Sequence, residues 1–171
     1  KAGQLSGGMK QKLALCCALI HRPKVLFLDE PTTGVDAVSR KEFWDKLKRI
    51  QKEQITILVS TPYMDEASLC DHVALIQNGK IMQSGTPFEI KSAFPKKLFS
   101  VRTPNIYALQ KALEGYSELH SIHLFGDVLH ISAAHNLNMN TLLSFMQYEG
   151  FSDLEIKPID AGIEDCFLEL M

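Results

Sequence analysis

Long hydrophobic runs are missing from this sequence. No uninterrupted apolar stretch reaches the roughly 20 residues that a membrane-spanning helix needs, so any membrane role is expected to run through a partner protein. A basic excess is missing too. Eighteen Lys and Arg stand against 20 Asp and Glu, for a formal net charge of -2, which removes the electrostatic footprint of a nucleic-acid binder. The four cysteines, Cys16, Cys17, Cys70 and Cys166, form no C-x-x-C pair. Their spacing fits neither a zinc site nor a disulfide framework; reduced, buried thiols are expected. Disorder is excluded as well: 46% of the residues are hydrophobic and 22% charged, near the globular average. The 171 residues suffice for one ordinary domain or two small ones. There is no internal repeat and no low-complexity tract.

Apolar periodicity organises the first half. Met9, Leu13, Cys16 or Cys17, and Ile20 recur at helical spacing, which predicts a helix from Ser6 to about Ile20. Ser6 is its N-cap and Pro23 stops it. Val25 to Leu28 is a short apolar run, expected of a strand buried on both faces. Phe43, Leu47 and Ile50 mark a second helix between about Ala37 and Glu53, and Ile55 to Val59 a second buried strand. A short helix follows around Met64 to Cys70. Val73 to Ile76 and Lys80 to Gln83 flank Asn78-Gly79, a hairpin turn pair. This order suits a parallel sheet covered by helices, with an antiparallel edge.

Pro95, Lys96 and Lys97 make a polar break, and the rhythm then changes. Leu98 to Val101 reads as a strand, and Ile106, Leu109 and Leu113 as a helix. Leu119 to Leu124 and Val128 to Ser132 read as strands joined across Gly126-Asp127. Leu142, Phe145, Met146 and Glu149 mark a helix, Leu154 to Lys157 a strand, and Ile163 to Leu170 a final helix. The order βαββαβ is the split pattern of ferredoxin-like domains. The expected division is therefore residues 1–95 and an accessory α+β domain over 96–171.

Three motifs carry chemistry. In Leu5-Ser6-Gly7-Gly8-Met9-Lys10-Gln11, two glycines at a helix start let the backbone approach a ligand closely. The free N–H groups and positive helix end there suit an anion such as phosphate. In Val25 to Pro31, a buried strand ends in Asp29 and Glu30, which places both carboxylates at the carboxyl edge of a sheet, where α/β folds bind ligands. Asp29 can hold Mg²⁺, and Glu30 can take a proton from a water attacking a phosphate. In Thr33-Gly34-Val35-Asp36, Asp36 is available to cap the next helix.

Together, in this order and spacing, the three motifs resemble the ATP-binding cassette family over about residues 1–90. Leu5 to Gly8 matches its signature motif, Val25 to Glu30 its Walker B strand, and Gly34-Val35-Asp36 its D-loop. Tyr63 to Ala67 and Ile163 to Leu168 are similar to the exporter branch that serves drugs, lipids or polysaccharides. The fold so implied is α/β, part of a P-loop NTPase sheet with helices, followed by a small ferredoxin-like domain. The resemblance implies an ATPase subunit using ATP and Mg²⁺, peripheral on the cytoplasmic face of a membrane. Its partners would be a second nucleotide-binding domain, head to tail, and an integral membrane permease. Ser6, Gly7, Gly8 and Gln11 would then serve ATP held by the partner, Asp36 would couple the two sites, Asp29 would hold the metal, and Glu30 would be catalytic. A cassette acting on ribosomes or in DNA repair is disfavoured, since no basic or coiled insertion is present.

Two departures qualify the resemblance. No G-x-x-x-x-G-K-[ST] phosphate loop occurs and the Q-loop is absent; Lys1 is not a Met and the signature motif lies within ten residues of it. The expectation is a truncated cassette, inactive alone. Second, Pro62 stands where the family carries a switch His, and proline offers no side-chain donor or acceptor. His72 falls about ten residues later; His21, His120, His123, His130 and His135 are expected as surface or packing residues. The alternative is a degenerate cassette that binds ATP and dimerises but hydrolyses poorly.

Overall fold

The computed structural model describes residues 2–134 and 137–171, so His135 lies outside the described residues. They form two compact units, the first running up to Ala67 and the second from Ser68 onward. That division falls upstream of the polar break at residue 95.

In the first unit, helix α1 spans Gly7–Leu19, strand β1 Val25–Asp29, helix α2 Ala37–Gln51, strand β2 Thr56–Ser60 and helix α3 Met64–Ala67. Ser6 caps α1 by accepting the Met9 N–H at 3.3 Å. Asp36 caps α2 by accepting the Ser39 N–H at 2.9 Å. β1 and β2 pair in parallel, with Phe27 opposite Leu58 and Asp29 opposite Ser60. α2 buries Phe43, Trp44 and Leu47.

Burial in this unit differs from the pattern the periodicity predicts. β1 is buried on one face only: Leu26 is buried, while Phe27 is 72% exposed and its neighbour Leu58 60% exposed. Among the described residues of this unit, one face of the two-stranded sheet is covered and the other is exposed. The Met9, Leu13 and Ile20 stripe of α1 is likewise exposed, and Gly8 and Leu15 are its buried residues. The reason lies in which face meets α2: Gly8 approaches Ser39, and Lys12 pairs with Glu42. Cys16 and Cys17, on the outward part of α1, are exposed rather than buried; Cys166 is buried and Cys70 half-buried, and all four are free thiols.

In the second unit, strands β3 (Val73–Gln77) and β4 (Lys80–Gly85) form a hairpin. Asn78 and Gly79 both have positive φ, 50° and 73°, as a tight two-residue hairpin turn requires. The hairpin is a two-stranded sheet of its own among the described residues, not an edge of the parallel sheet. Helix α4 (Pro87–Ser92) follows, an element the periodicity does not predict. Its signal is local: Thr86 and Glu89 form a reciprocal capping box with Pro87 at the first turn.

Then come β5 (Lys97–Arg102), α5 (Ile106–Leu113), β6 (Leu119–Phe125), β7 (Val128–Ala133), α6 (Met139–Tyr148), β8 (Glu155–Ile159) and α7 (Ile163–Leu170). The four strands are all antiparallel neighbours in the order β6-β7-β5-β8. That is the ferredoxin-like arrangement which βαββαβ implies. Val101, Leu109, Leu129, Ile131, Leu142 and Met146 form its core. α7 is tied on by the Cys166 thiol donating to the Ile90 carbonyl at 3.5 Å and by a Lys96–Glu169 pair. Asp165 of α7 is buried, accepts the Gly162 N–H at 2.8 Å and bonds His130 Nδ1 at 2.8 Å. His130 also packs on Phe125, with ring centroids 4.2 Å apart.

Candidate active site

β1 ends at Asp29, and the chain turns sharply at Glu30, whose φ is 41°. That conformation is uncommon for a residue with a Cβ and costs about 1–3 kcal/mol, so its surroundings must enforce it. They do. The Glu30 N–H donates to the Ser60 carbonyl at 3.0 Å and to Ser60 Oγ at 3.1 Å. Ser60 Oγ donates in turn to Asp29 Oδ1. One hydroxyl at the end of β2 thereby holds both acidic residues. Thr33 Oγ1 donates to Glu30 Oε2 at 3.1 Å, and the Thr33 N–H to the Glu30 carbonyl at 3.2 Å, which orients the carboxylate and closes the turn.

The glycine motif lies against the other end of the loop that follows. A Cβ on Gly7 would meet the Gly34 carbonyl at 3.5 Å. A Cβ on Gly8 would meet Ser39 Oγ at 2.8 Å and Ser39 Cβ at 2.9 Å, closer than real contacts allow. Gly8 is therefore required by packing within this chain, whatever else its backbone approaches. Gly34 has φ 74°, open only to glycine without strain. The Ser39 N–H holds the Asp36 carboxyl below its ordinary range. The Oε1 of Gln11 is buried without a hydrogen-bond partner among the described residues.

Two clusters result, Asp29, Glu30 and Ser60 at the sheet edge, and Ser6, Gly7 and Gly8 beside Gly34 to Ser39. The loop between Glu30 and Asp36 joins them; no hydrogen bond among the described residues links one cluster directly to the other. Pro62 is exposed, two residues beyond Ser60. Sequence reasoning missed Ser60 and the part played by Thr33. A serine ending the second strand, opposite Asp29 in a parallel pair, is a signal that could have found the first.

A family model described as ABC transporter matches residues 1–33. The probable multidrug ABC transporter ATP-binding protein YbhF of Escherichia coli is 47% identical over 52% of this chain and 15% of its own length. The Nod factor export ATP-binding protein I of Burkholderia lata is 33% identical over 99% of this chain and 54% of its own. The chain is thus similar to ATP-binding proteins of ABC transporters, and its first 33 residues match that family's model. A solved cassette structure, cbiO1 from Clostridium perfringens, described as part of the ABC transporter complex cbiONQ, aligns with a TM-score of 0.50 and 36% identity. The alignment covers 54% of this chain and 38% of the cbiO1 chain. The chain thus spans about half the length, or less, of the relatives it matches. No helix of the described residues is long and apolar enough to cross a membrane.

Asp29 offers a carboxylate suited to Mg²⁺, which commonly takes one or two protein carboxylates and completes its shell with phosphate and water. The hydrogen bond from Ser60 Oγ leaves Asp29 a fixed orientation for that task.

Proposed function

We propose that this chain is the signature- and Walker B-bearing part of an ATP-hydrolysing cassette that drives an exporter. The single observation that carries the reading is Glu30. Its carboxylate directly follows the end of a sheet strand, its backbone is held in a strained turn by Ser60, and its side chain is aimed by Thr33. Strained, over-determined residues cluster at working sites. The export and multidrug names of the relatives support the direction of transport.

In this mechanism Glu30 accepts a proton at its carboxylate from the water that attacks the terminal phosphate of ATP. Asp29 would hold Mg²⁺, which would supply charge stabilisation for the phosphates. Ser6, Gly7, Gly8 and Gln11 face ATP bound by a second cassette, and Asp36 lies between the two sites. The glycine-lysine phosphate loop is not among residues 1–171. We therefore propose that these residues alone do not turn over ATP, and that the cassette works with further sequence. The partners are a second nucleotide-binding domain, head to tail, and a membrane permease at the cytoplasmic face. We assign the cassette to residues 1–95 and an accessory, regulatory or docking role to 96–171. Removing 96–171 tests that role: unaltered transporter assembly and ATPase rate argue against it.

A second reading has an observation of its own. Pro62 replaces a side chain that could donate to phosphate. In that reading the site binds ATP and dimerises but hydrolyses slowly. The whole protein, compared as wild type, Glu30→Gln and Pro62→His, separates the two: fast wild-type turnover abolished by Glu30→Gln supports the first, and slow turnover raised by Pro62→His supports the second.

A further inference from the structure

Glu66 is 1% exposed, and three donors from different segments meet on its carboxylate. Oε1 accepts from Thr32 Oγ1 at 2.7 Å and from Arg40 Nε at 3.1 Å. Oε2 accepts from Thr61 Oγ1 at 2.7 Å. Thr32, also 1% exposed, lies in the loop between Glu30 and Asp36, and its carbonyl accepts the Val35 N–H at 3.1 Å. The Thr61 hydroxyl oxygen accepts the Tyr63 N–H at 3.1 Å, so it grips the chain on both sides of Pro62. Arg40 is fixed in its turn, forking onto Asp65 at 2.9 and 3.2 Å and lying 4.3 Å from the centre of the Tyr63 ring.

A buried carboxylate is tolerated only when its lone pairs are satisfied. The Arg40 ion pair supplies one bond and most of the charge compensation. It does not account for two threonine hydroxyls, one on each oxygen and each from a different loop. If either loop moves, its hydroxyl leaves a buried anion short of a donor, and the cost falls on the shared carboxylate.

We propose that Glu66 is a positioning residue that makes the Pro31–Asp36 loop and the Thr61–Tyr63 segment move as one. The loop carries Asp36 and the segment carries position 62, so their coupling sets where both stand relative to Glu30. The consequence for turnover rests on the hydrolysis reading above; the mechanical coupling does not.

Hydrogen exchange on the whole protein carrying this sequence tests it, with Thr32→Val, Thr61→Val, their double variant, and Thr32→Ser and Thr61→Ser, which keep the hydroxyls. Thr61→Val is expected to speed exchange of the Thr33 and Val35 amides at least threefold. Thr32→Val is expected to do the same at Tyr63 and Glu66. The serine variants should exchange as wild type, and the double variant no faster than the faster single one. Glu66→Gln should loosen both segments together. Exchange that changes only around the substituted threonine overturns the proposal. ATP turnover of the same variants adds a second readout: kcat falls several-fold with KM within about twofold of wild type. If Glu30→Gln proves as active as wild type while the cross-loop exchange response persists, the hydrolysis reading has failed and the coupling stands.

Discussion

Glu30 and Ser60 show how much one hydroxyl can organise. Ser60 Oγ accepts from the Glu30 backbone and donates to Asp29, so its removal takes one hydrogen bond from each acidic residue. A hydrogen bond to a charged group contributes about 1.5–3 kcal/mol. Ser60→Ala should therefore slow ATP turnover by about ten- to a hundredfold, and Ser60→Thr, which keeps the hydroxyl, should restore most of it. Gly8→Ala is a packing test: the new methyl meets Ser39 closer than 3 Å, and a loss of about 1–3 kcal/mol in stability is expected from thermal melting. The thiols divide by exposure. Burial pushes the Cys166 thiol up to about 11, whereas Cys16 and Cys17 are exposed. A maleimide pulse at pH 8 read by mass spectrometry should modify Cys16 and Cys17 and spare Cys166; equal labelling of Cys166 contradicts its burial. The residue types at the site were legible from the motifs. The supporting side chains were not, because Ser60, Thr33 and Glu66 acquire meaning only once β1 and β2 are paired and α3 is folded beside them.

Helix starts were the most readable features among the elements, since a cap is a local event. Ser6 and Asp36 cap α1 and α2 where the sequence places them. Asp36 carries a pH signature. Its folded carboxyl lies below the ordinary 3.8, so its stabilisation is present above that value and lost as pH falls through the lower one. The fluorescence of Trp44, on the helix that Asp36 caps, should report a urea midpoint that falls between pH 5 and pH 3. Asp36→Asn keeps the capping oxygen but should flatten that fall; an unchanged slope assigns it to other carboxylates. α4 was overlooked because it is too short for periodicity, although Thr86-Pro87-Phe88-Glu89 announces it chemically. Which faces of α1 and β1 are buried could not be read either. Met9, Leu13 and Phe27 are apolar at the expected spacing, but burial is a property of the surface opposite, and only Gly8, Leu15 and Leu26 meet one among the described residues.

On the scale of the whole molecule, two compact units carry different work. The second rests on an apolar core whose members Leu109, Leu129 and Met146 are fully buried, and whose strand order follows from βαββαβ. Leu109→Ala should cost about 2–5 kcal/mol in the melting of that unit. The first unit holds the acids, the glycine motif and the loop between them, and the activity proposed for this chain stands or falls there. The most direct measurement is steady-state ATP turnover of the whole protein, wild type beside Glu30→Gln, with nucleotide binding followed in parallel. Turnover that drops by about 10²–10⁴-fold in Glu30→Gln while ATP still binds is the predicted result, since a general base contributes on that order. Equal turnover in the two proteins contradicts the role of Glu30 and, with it, the assignment of hydrolysis to this site.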